Sequence, residues 1–378
     1  MPDNSMSNKP APGKPMPNKP MIAGDDVGKE PVAPFHLTFS SHFRPWLAKL
    51  DTGIAFSTYT AGKLILLGVG GKGGYAVSER TFDMAMAMAA TDDGLMLAMR
   101  HQVWRFANSL PPGQLHEGWD RIYLPRQCHV TGAVDIHDLA IDKKGRLLAV
   151  VTGYNCVASL DMQGSFNPVW RPPFIDRIIG EDRCHLNGFC LDAGAPAYAT
   201  VIAATNTLGG WRPHRADGGQ VIDMRTGKTV AQGLAMPHSP RLYRGKLWLL
   251  EAGTGWFGWI DVATGAFNRV TWCPGFVRGL RFIGDYAIVG LSKPRNKVFE
   301  GLPLEDELKT RGREPVCGIY AINLASGEIE HTISITGSVE ELYDVAFLPG
   351  ARAPLLVGLQ GEEARKFVFL GPDSSGKS

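Results

Sequence analysis

The chain has 378 residues, with 39 Lys and Arg against 37 Asp and Glu and a formal net charge of +2. That balance argues against an electrostatic nucleic-acid binder, which concentrates basic charge on one face, and no apolar run approaches the ~20 residues that a membrane-spanning helix needs. Six cysteines are scattered with no Cys-x-x-Cys pair, and they read as reduced, mostly buried thiols in a chain long enough to build a core without disulfides.

Residues 1–33 are rich in Pro, Lys, Asn and Gly and poor in large apolar groups, so a disordered tail is expected there. They lack the apolar core of a secretory signal, from which a cytoplasmic location is expected. From Pro34 to about residue 372 the pattern is short strands parted by Gly, Pro, Asp and Asn, one all-β domain followed by a short tail over 373–378. Pro34–Ser40 reads as an orphan strand and Phe43–Arg80 as a set of strands. Leu302–Arg311 is the exception, with the composition of a short helix in an insertion.

Two elements recur. One is a hairpin, an alternating strand running into an Asp-x-x-Thr-Gly turn, as in Trp259-Ile260-Asp261-Val262-Ala263-Thr264-Gly265. Its copies are Val221–Gly227 and Tyr320–Gly327, with a looser one over Ala158–Gly164. Asp or Asn bonds its own backbone at the start of such a turn, and Gly accepts the positive φ that closes it. The other is a strand lying upstream of each hairpin, with copies at Ile136–Asp142, Leu186–Asp192, His238–Tyr243, Val277–Phe282 and Leu342–Phe347, and a poorer one at Met84–Ala89. Four strands per unit, recurring about every 40–65 residues, define β-propeller blades with the innermost strand first. Joining Pro34–Ser40 to the three carboxyl-terminal strands, Leu342–Phe347, Pro354–Leu359 and Lys366–Leu370, closes the ring. With Phe43–Arg80 as a further blade the count is seven four-stranded antiparallel blades, or six if the ends merge differently.

On one face of such a ring lie the loops that enter each innermost strand and those that join second strands to third. They carry His137, Asn187, His185, His238, Arg278, Glu340, Arg100, Asn206, Trp211, Glu251, Trp256, Lys293, Arg295 and Asn296. His137, His185 and His238 enter consecutive blades and are candidate ligands for a divalent metal. Their register differs, since His137 aligns with Asn187, and hydrogen bonds to backbone carbonyls at the mouth of the ring are the alternative. Glu251 and Glu340 are candidates for the coordination sphere or for a general base. Arg278, Lys293 and Arg100 suggest a pocket for a carboxylate or phosphate, with Asn187, Asn206 and Trp211 as further ligand contacts; the alternative is a structural charge network. The glycine-rich Gly68–Gly74 joins two strands with no helix behind it, and so lacks what a phosphate loop requires.

The pieces Phe39-Ser40-Ser41-His42-Phe43-Arg44, Cys184-His185-Leu186-Asn187-Gly188, Met236-Pro237-His238-Ser239-Pro240-Arg241 and Pro274-Gly275-Phe276-Val277-Arg278-Gly279 resemble a conserved hypothetical family of bacterial proteins of propeller type. The resemblance spans nearly all of residues 35–372 and implies the fold; it brings no activity and no functional residue. The expectation is therefore a propeller whose axial face binds a small polar or anionic ligand, with a divalent metal on the three histidines and lyase or hydrolase chemistry. The alternative is a non-catalytic platform for a protein or glycan partner.

Overall fold

The computed structural model describes residues 34–70, 73–161, 163–293 and 301–368. The expected amino-terminal tail over 1–33 and the tail over 373–378 lie outside the described residues. The turn chemistry read from the sequence recurs between third and fourth strands. Asp261 Oδ1 accepts from the backbone N–H of Ala263 at 2.9 Å and of Thr264 at 3.3 Å. Asp223 does the same for Arg225 and Thr226, and Asn323 for Ala325 and Ser326. The closing Gly265, Gly227 and Gly327 have φ of 78°, 73° and 75°.

These hairpins belong to six antiparallel sheets. From the inside outward, blade one is Asp344–Pro349, Thr52–Thr58, Lys63–Val69 and Tyr75–Thr81, and blade two is Met88–Thr91, Gly94–Ala98, Gln102–Asn108 and Arg121–Val130. Blade three is Ile136–Ile141, Leu147–Val151, Cys156–Leu160 and Asn167–Trp170, and blade four is Leu186–Asp192, Ala195–Val201, Gly219–Asp223 and Thr229–Leu234. Blade five is Pro237–Tyr243, Lys246–Glu251, Trp256–Ile260 and Phe267–Trp272, and blade six is Phe276–Ile283, Tyr286–Ser292, Cys317–Asn323 and Ile329–Gly337.

The count of seven is thus corrected to six, and the error lies at the ends. Phe43–Lys49 is a helix, burying Phe43, Trp46 and Leu47 at helical spacing, so only three strands remain before Thr81. Their missing innermost partner is Asp344–Pro349, paired from Ser57 opposite Asp344 to Thr52 opposite Pro349. Two stretches read as separate blades are one. Phe35–Phe39 does not join the carboxyl-terminal strands; it adds a fifth strand outside Ile329–Gly337 of blade six. Pro354–Leu356 runs parallel to Arg121–Val130 of blade two, and Glu362–Lys366 is helical where a strand was expected from Lys366. The inserted helix is present at Pro303–Thr310.

The middle strands of a blade read as unbroken apolar runs. Leu64, Ile65, Leu66 and Leu67 on the third strand of blade one are all fully buried because each face of a blade is covered by the next blade, so alternation toward solvent never arises. The cores are inter-blade layers, as where Leu250 and Phe257 of blade five meet Leu280 and Val289 of blade six. No helix among the described residues is long and apolar enough to cross a membrane.

Four charges lie among the innermost strands. Arg241 of blade five forms a bidentate pair with Asp138 of blade three at 2.8 and 3.0 Å, and Arg281 of blade six meets Asp344 of blade one at 3.1 Å. Both carboxylates also accept backbone N–H groups, Asp138 from Leu139 and Phe189, Asp344 from Met88 and Val345. The two pairs cross-link four of the six blades at the centre, where small or apolar side chains alone would leave strand ends unregistered.

Candidate functional site

The approach to each innermost strand sets the site. Asp135, His185 and Met236 stand immediately before the innermost strands of blades three, four and five, with φ of 58°, 49° and 49°. Left-handed backbone at non-glycine residues is strained by roughly 1–3 kcal/mol each, and such strain gathers where a side chain must be held in place. Two residues further on, His137, Asn187 and His238 occupy the second position of the same three strands. Blade six contributes Arg278 and blade one Tyr343, at the start of its strand.

Together with Tyr59 and Trp211, from loops joining second and third strands, these approaches line a cavity of ≈ 210 Å³. Asp135, His137, His185, Met236, His238, Phe276, Arg278, Glu341 and Tyr343 all face it. The rings of His137 and His185 meet edge to face with centroids 4.8 Å apart, His185 lies against Trp211 at 4.2 Å, and the Arg278 guanidinium covers the Tyr343 ring at 3.4 Å. A larger open cleft of ≈ 730 Å³ beside Tyr75, Trp119 and Arg352 holds no histidine among the described residues.

All three histidines are anchored through Nδ1. His137 and His238 reach the carbonyls of Asp135 and Met236 at 3.2 and 2.8 Å, and His185 reaches the Asp182 carboxylate at 2.8 Å. A carbonyl only accepts, so Nδ1 carries the proton in His137 and His238, and Nε2 keeps its lone pair while the ring is neutral. Burial, then Arg278, pushes the His238 imidazole down to about 3. Burial, then His185 and Arg278, holds His137 well below the usual histidine range. Burial raises the Asp135 carboxyl, an effect opposed by His185 and Arg278.

A stability consequence follows. Between about pH 3 and the ordinary 6.5 the unfolded chain binds a proton that folded His238 refuses. Its contribution is therefore unfavourable to folding as pH falls through that window and absent above it. Urea midpoints measured from about pH 7 to about pH 4 should fall in the wild type and fall less in His238→Phe; equal slopes would show that His238 is not held neutral.

The structure brings together His137, His185, His238, Arg278 and Trp211; Asn187 holds the same strand position as His137 and His238 but does not line the cavity, and its Oδ1 accepts from Thr200 Oγ1 at 2.6 Å. It does not bring in the others. Glu251 is buried elsewhere, accepting from the Ala235 N–H at 3.2 Å and from Thr254 Oγ1 at 2.8 Å, and so steadies the segment that leads to Met236. Glu340 is exposed and its carbonyl takes the Lys293 N–H, while its neighbour Glu341 faces the cavity. Asn206 Oδ1 accepts from Arg183 at 2.9 Å, and Arg100 pairs with Asp83 at 3.0 Å on the surface. Lys293 does not line the cavity; Arg295 and Asn296 lie outside the described residues. No group of three His, Cys, Asp or Glu side chains arranged to hold a metal ion occurs among the described residues.

Sequence reasoning missed Asp135, Asp182, Tyr59, Met236, Phe276 and Tyr343. One signal was there: Ile136-His137-Asp138-Leu139-Ala140 and Leu342-Tyr343-Asp344-Val345-Ala346 superpose on their Asp residues, which sets Tyr343 opposite His137.

Fold and site define a six-bladed β-propeller with a small polar cavity at the approaches to its innermost strands. The chain belongs to the family described as Domain of unknown function (DUF4915), whose model matches residues 41–357. No curated protein sequence matches the chain at a significant level. Among solved structures, a chain of a nidogen/laminin complex is similar with a TM-score of 0.49 and 14% identity, covering 79% of this chain and 99% of that chain. A protein of unknown function from Bacteroides caccae is similar with a TM-score of 0.48 and 10% identity, covering 78% and 98%. A catalytically inactive virginiamycin B lyase from Staphylococcus aureus, solved with quinupristin, has a TM-score of 0.39 and 11% identity over 80% and 99%.

Proposed function

We propose that the axial face binds a small anionic ligand through Arg278 and that His185, oriented by Asp182, transfers a proton on it in lyase or hydrolase chemistry. One observation carries the reading. Trp211 Nε1 and Arg278 Nη2, on two residues that line the cavity, are buried donors with no acceptor among the described residues. Each such orphan costs roughly 1–3 kcal/mol, so two at one site call for an acceptor that arrives from outside. Arg278 has no carboxylate partner among the described residues and spends its guanidinium face on Tyr343. Asp182 beside His185 supports the proton-transfer role, since a carboxylate on Nδ1 fixes the ring and stabilises the imidazolium once Nε2 is protonated.

The test is calorimetric titration of a panel of small carboxylates and phosphates into the wild type and Arg278→Gln. A charged hydrogen bond is worth roughly 1.5–3 kcal/mol, so the variant should lose about 10- to 150-fold in affinity. Equal affinity in both proteins would overturn the reading.

A divalent metal on His137, His185 and His238 is the second reading. The observation that favours it is the Nδ1 anchoring itself, the arrangement that metal-bound histidines adopt. Elemental analysis of untagged protein and of His185→Ala decides it: stoichiometric metal lost in the variant supports a metal centre, and its absence from both sinks one. A binding platform would present aromatic side chains openly. Trp211 instead packs on His185, and Trp256 carries the Arg269 and Arg311 guanidinium groups over its ring, which favours the small-ligand reading.

A further inference from the structure

We infer that the ligand of the axial cavity is a small hydroxylated carboxylic acid, of the size and kind of a sugar acid; the inference rests on the anion-binding reading above and names its substrate class. The site's hydrogen-bonding groups fall into two complementary sets. Two buried donors on lining residues, Trp211 Nε1 and Arg278 Nη2, have no acceptor among the described residues. Three imidazoles that have committed Nδ1 to Asp135, Asp182 and Met236 offer Nε2 lone pairs, and no donor reaches any of these among the described residues. A bare anion answers only the first set. A ligand that carries hydroxyl groups beside its anionic group answers both, because each hydroxyl gives one proton to an Nε2.

The anionic group is a carboxylate rather than a phosphate on grounds of charge. Arg278 is the one guanidinium or ammonium among the described lining residues, and Asp135 lines the same cavity. A planar single charge suits one guanidinium fork, whereas a phosphate dianion beside a carboxylate needs several cations. Size points the same way: ≈ 210 Å³ is below the about 300–1,000 Å³ of pockets for drug-sized ligands. Hydroxyls fit the three imidazoles better than a shared cation does, because the histidines stand at two different strand positions, His185 before its strand and His137 and His238 within theirs.

The experiment titrates D-glucuronate, D-galacturonate and D-gluconate, together with D-glucose and cyclohexanecarboxylate, into the full chain with and without EDTA. At least one hydroxy acid is expected to bind tenfold or more tighter than both D-glucose and cyclohexanecarboxylate, and to do so unchanged in EDTA. His137→Phe and His238→Phe, each checked for native circular dichroism, should bring that acid down to the affinity of cyclohexanecarboxylate. Should one of the two fail to fold, the ligand panel on the wild type decides alone. Equal binding of cyclohexanecarboxylate and the hydroxy acids, lost in Arg278→Gln, overturns the hydroxyl inference and leaves anion binding standing. Binding that EDTA abolishes assigns the lone pairs to a cation and also overturns it. Failure of every hydroxy acid to bind overturns it, and if Arg278→Gln is then indistinguishable from wild type toward all anions, the anion reading falls with it.

Discussion

A chain that stops at Tyr343 is expected not to fold. The cut removes residues 344–378, and with them Asp344–Pro349, the innermost strand of blade one, and Pro354–Leu356 beside blade two. Its partner Thr52–Thr58 would lose a whole ladder of pairings, and the fully buried Ile54, Ala55 and Phe56 would lose the strand that covers them. Val345, Ala346 and Leu348 are buried as well, at roughly 1.5–3 kcal/mol for each larger side chain, and Arg281 would be stranded without Asp344. Those losses together are on the order of the about 5–15 kcal/mol by which a typical domain is stable. The soluble fraction and the far-ultraviolet circular dichroism of the truncated chain should show an aggregated or unfolded product. Deleting residues up to Phe39 is the control. Among the described residues it removes Pro34 and the half-buried fifth strand on the outside of blade six, and it should lower the melting temperature while leaving a folded protein. A native spectrum from the chain ending at Tyr343 would refute the role given to the last innermost strand.

The second large effect concerns the central charges. Arg241→Met should destabilise the protein by roughly 3–5 kcal/mol, because it leaves the buried Asp138 carboxyl group without its bidentate partner. At about 2–4 °C per kcal/mol for a chain of this order of size, the melting temperature should drop by on the order of 10 °C. The double variant Asp138→Leu with Arg241→Met removes both charges and should recover much of the loss, since desolvation of a buried pair offsets most of its attraction. A double-mutant cycle on denaturant midpoints reads the difference directly. A single variant within about 1 kcal/mol of wild type would show that the pair is hydrated in solution.

What the sequence disclosed and what it hid divide along a physical line. Turn residues act locally, so the Asp-x-x-Thr-Gly hairpins, the four-strand repeat and the face carrying the polar loops were all legible from Asp223, Asp261, Asn323 and their glycines. The offset between His137 and His185 was legible too, because the repeat fixes register. The ends were not. Phe43–Lys49 is too short for a decisive helical period, and the pairing of Asp344–Pro349 with Thr52–Thr58 is a contact between distant stretches that no local pattern reports. The polar candidates divide in the same way. His137, His238 and Arg278 sit on the repeat itself and converge, whereas Glu251 at the end of a second strand and Asn206 and Arg100 in loops are satisfied locally by Thr254, Arg183 and Asp83.

The pairing of the last innermost strand with the first three strands has a meaning for biosynthesis. Asp344 donates its N–H to Ser57 Oγ across 287 residues. At the roughly 5–20 residues per second of translation, blade one waits on the order of 15–60 s for the strand that completes it. Throughout that interval the ribosome-bound chain exposes the apolar edge of Thr52–Thr58, and Tyr343 is not yet made. The cavity over which Arg278 and Tyr343 stack therefore comes into being only once residue 343 and the strand after it have been made, so that until then a nascent chain can be shielded by a chaperone but has no cavity in which a bound molecule could steady it.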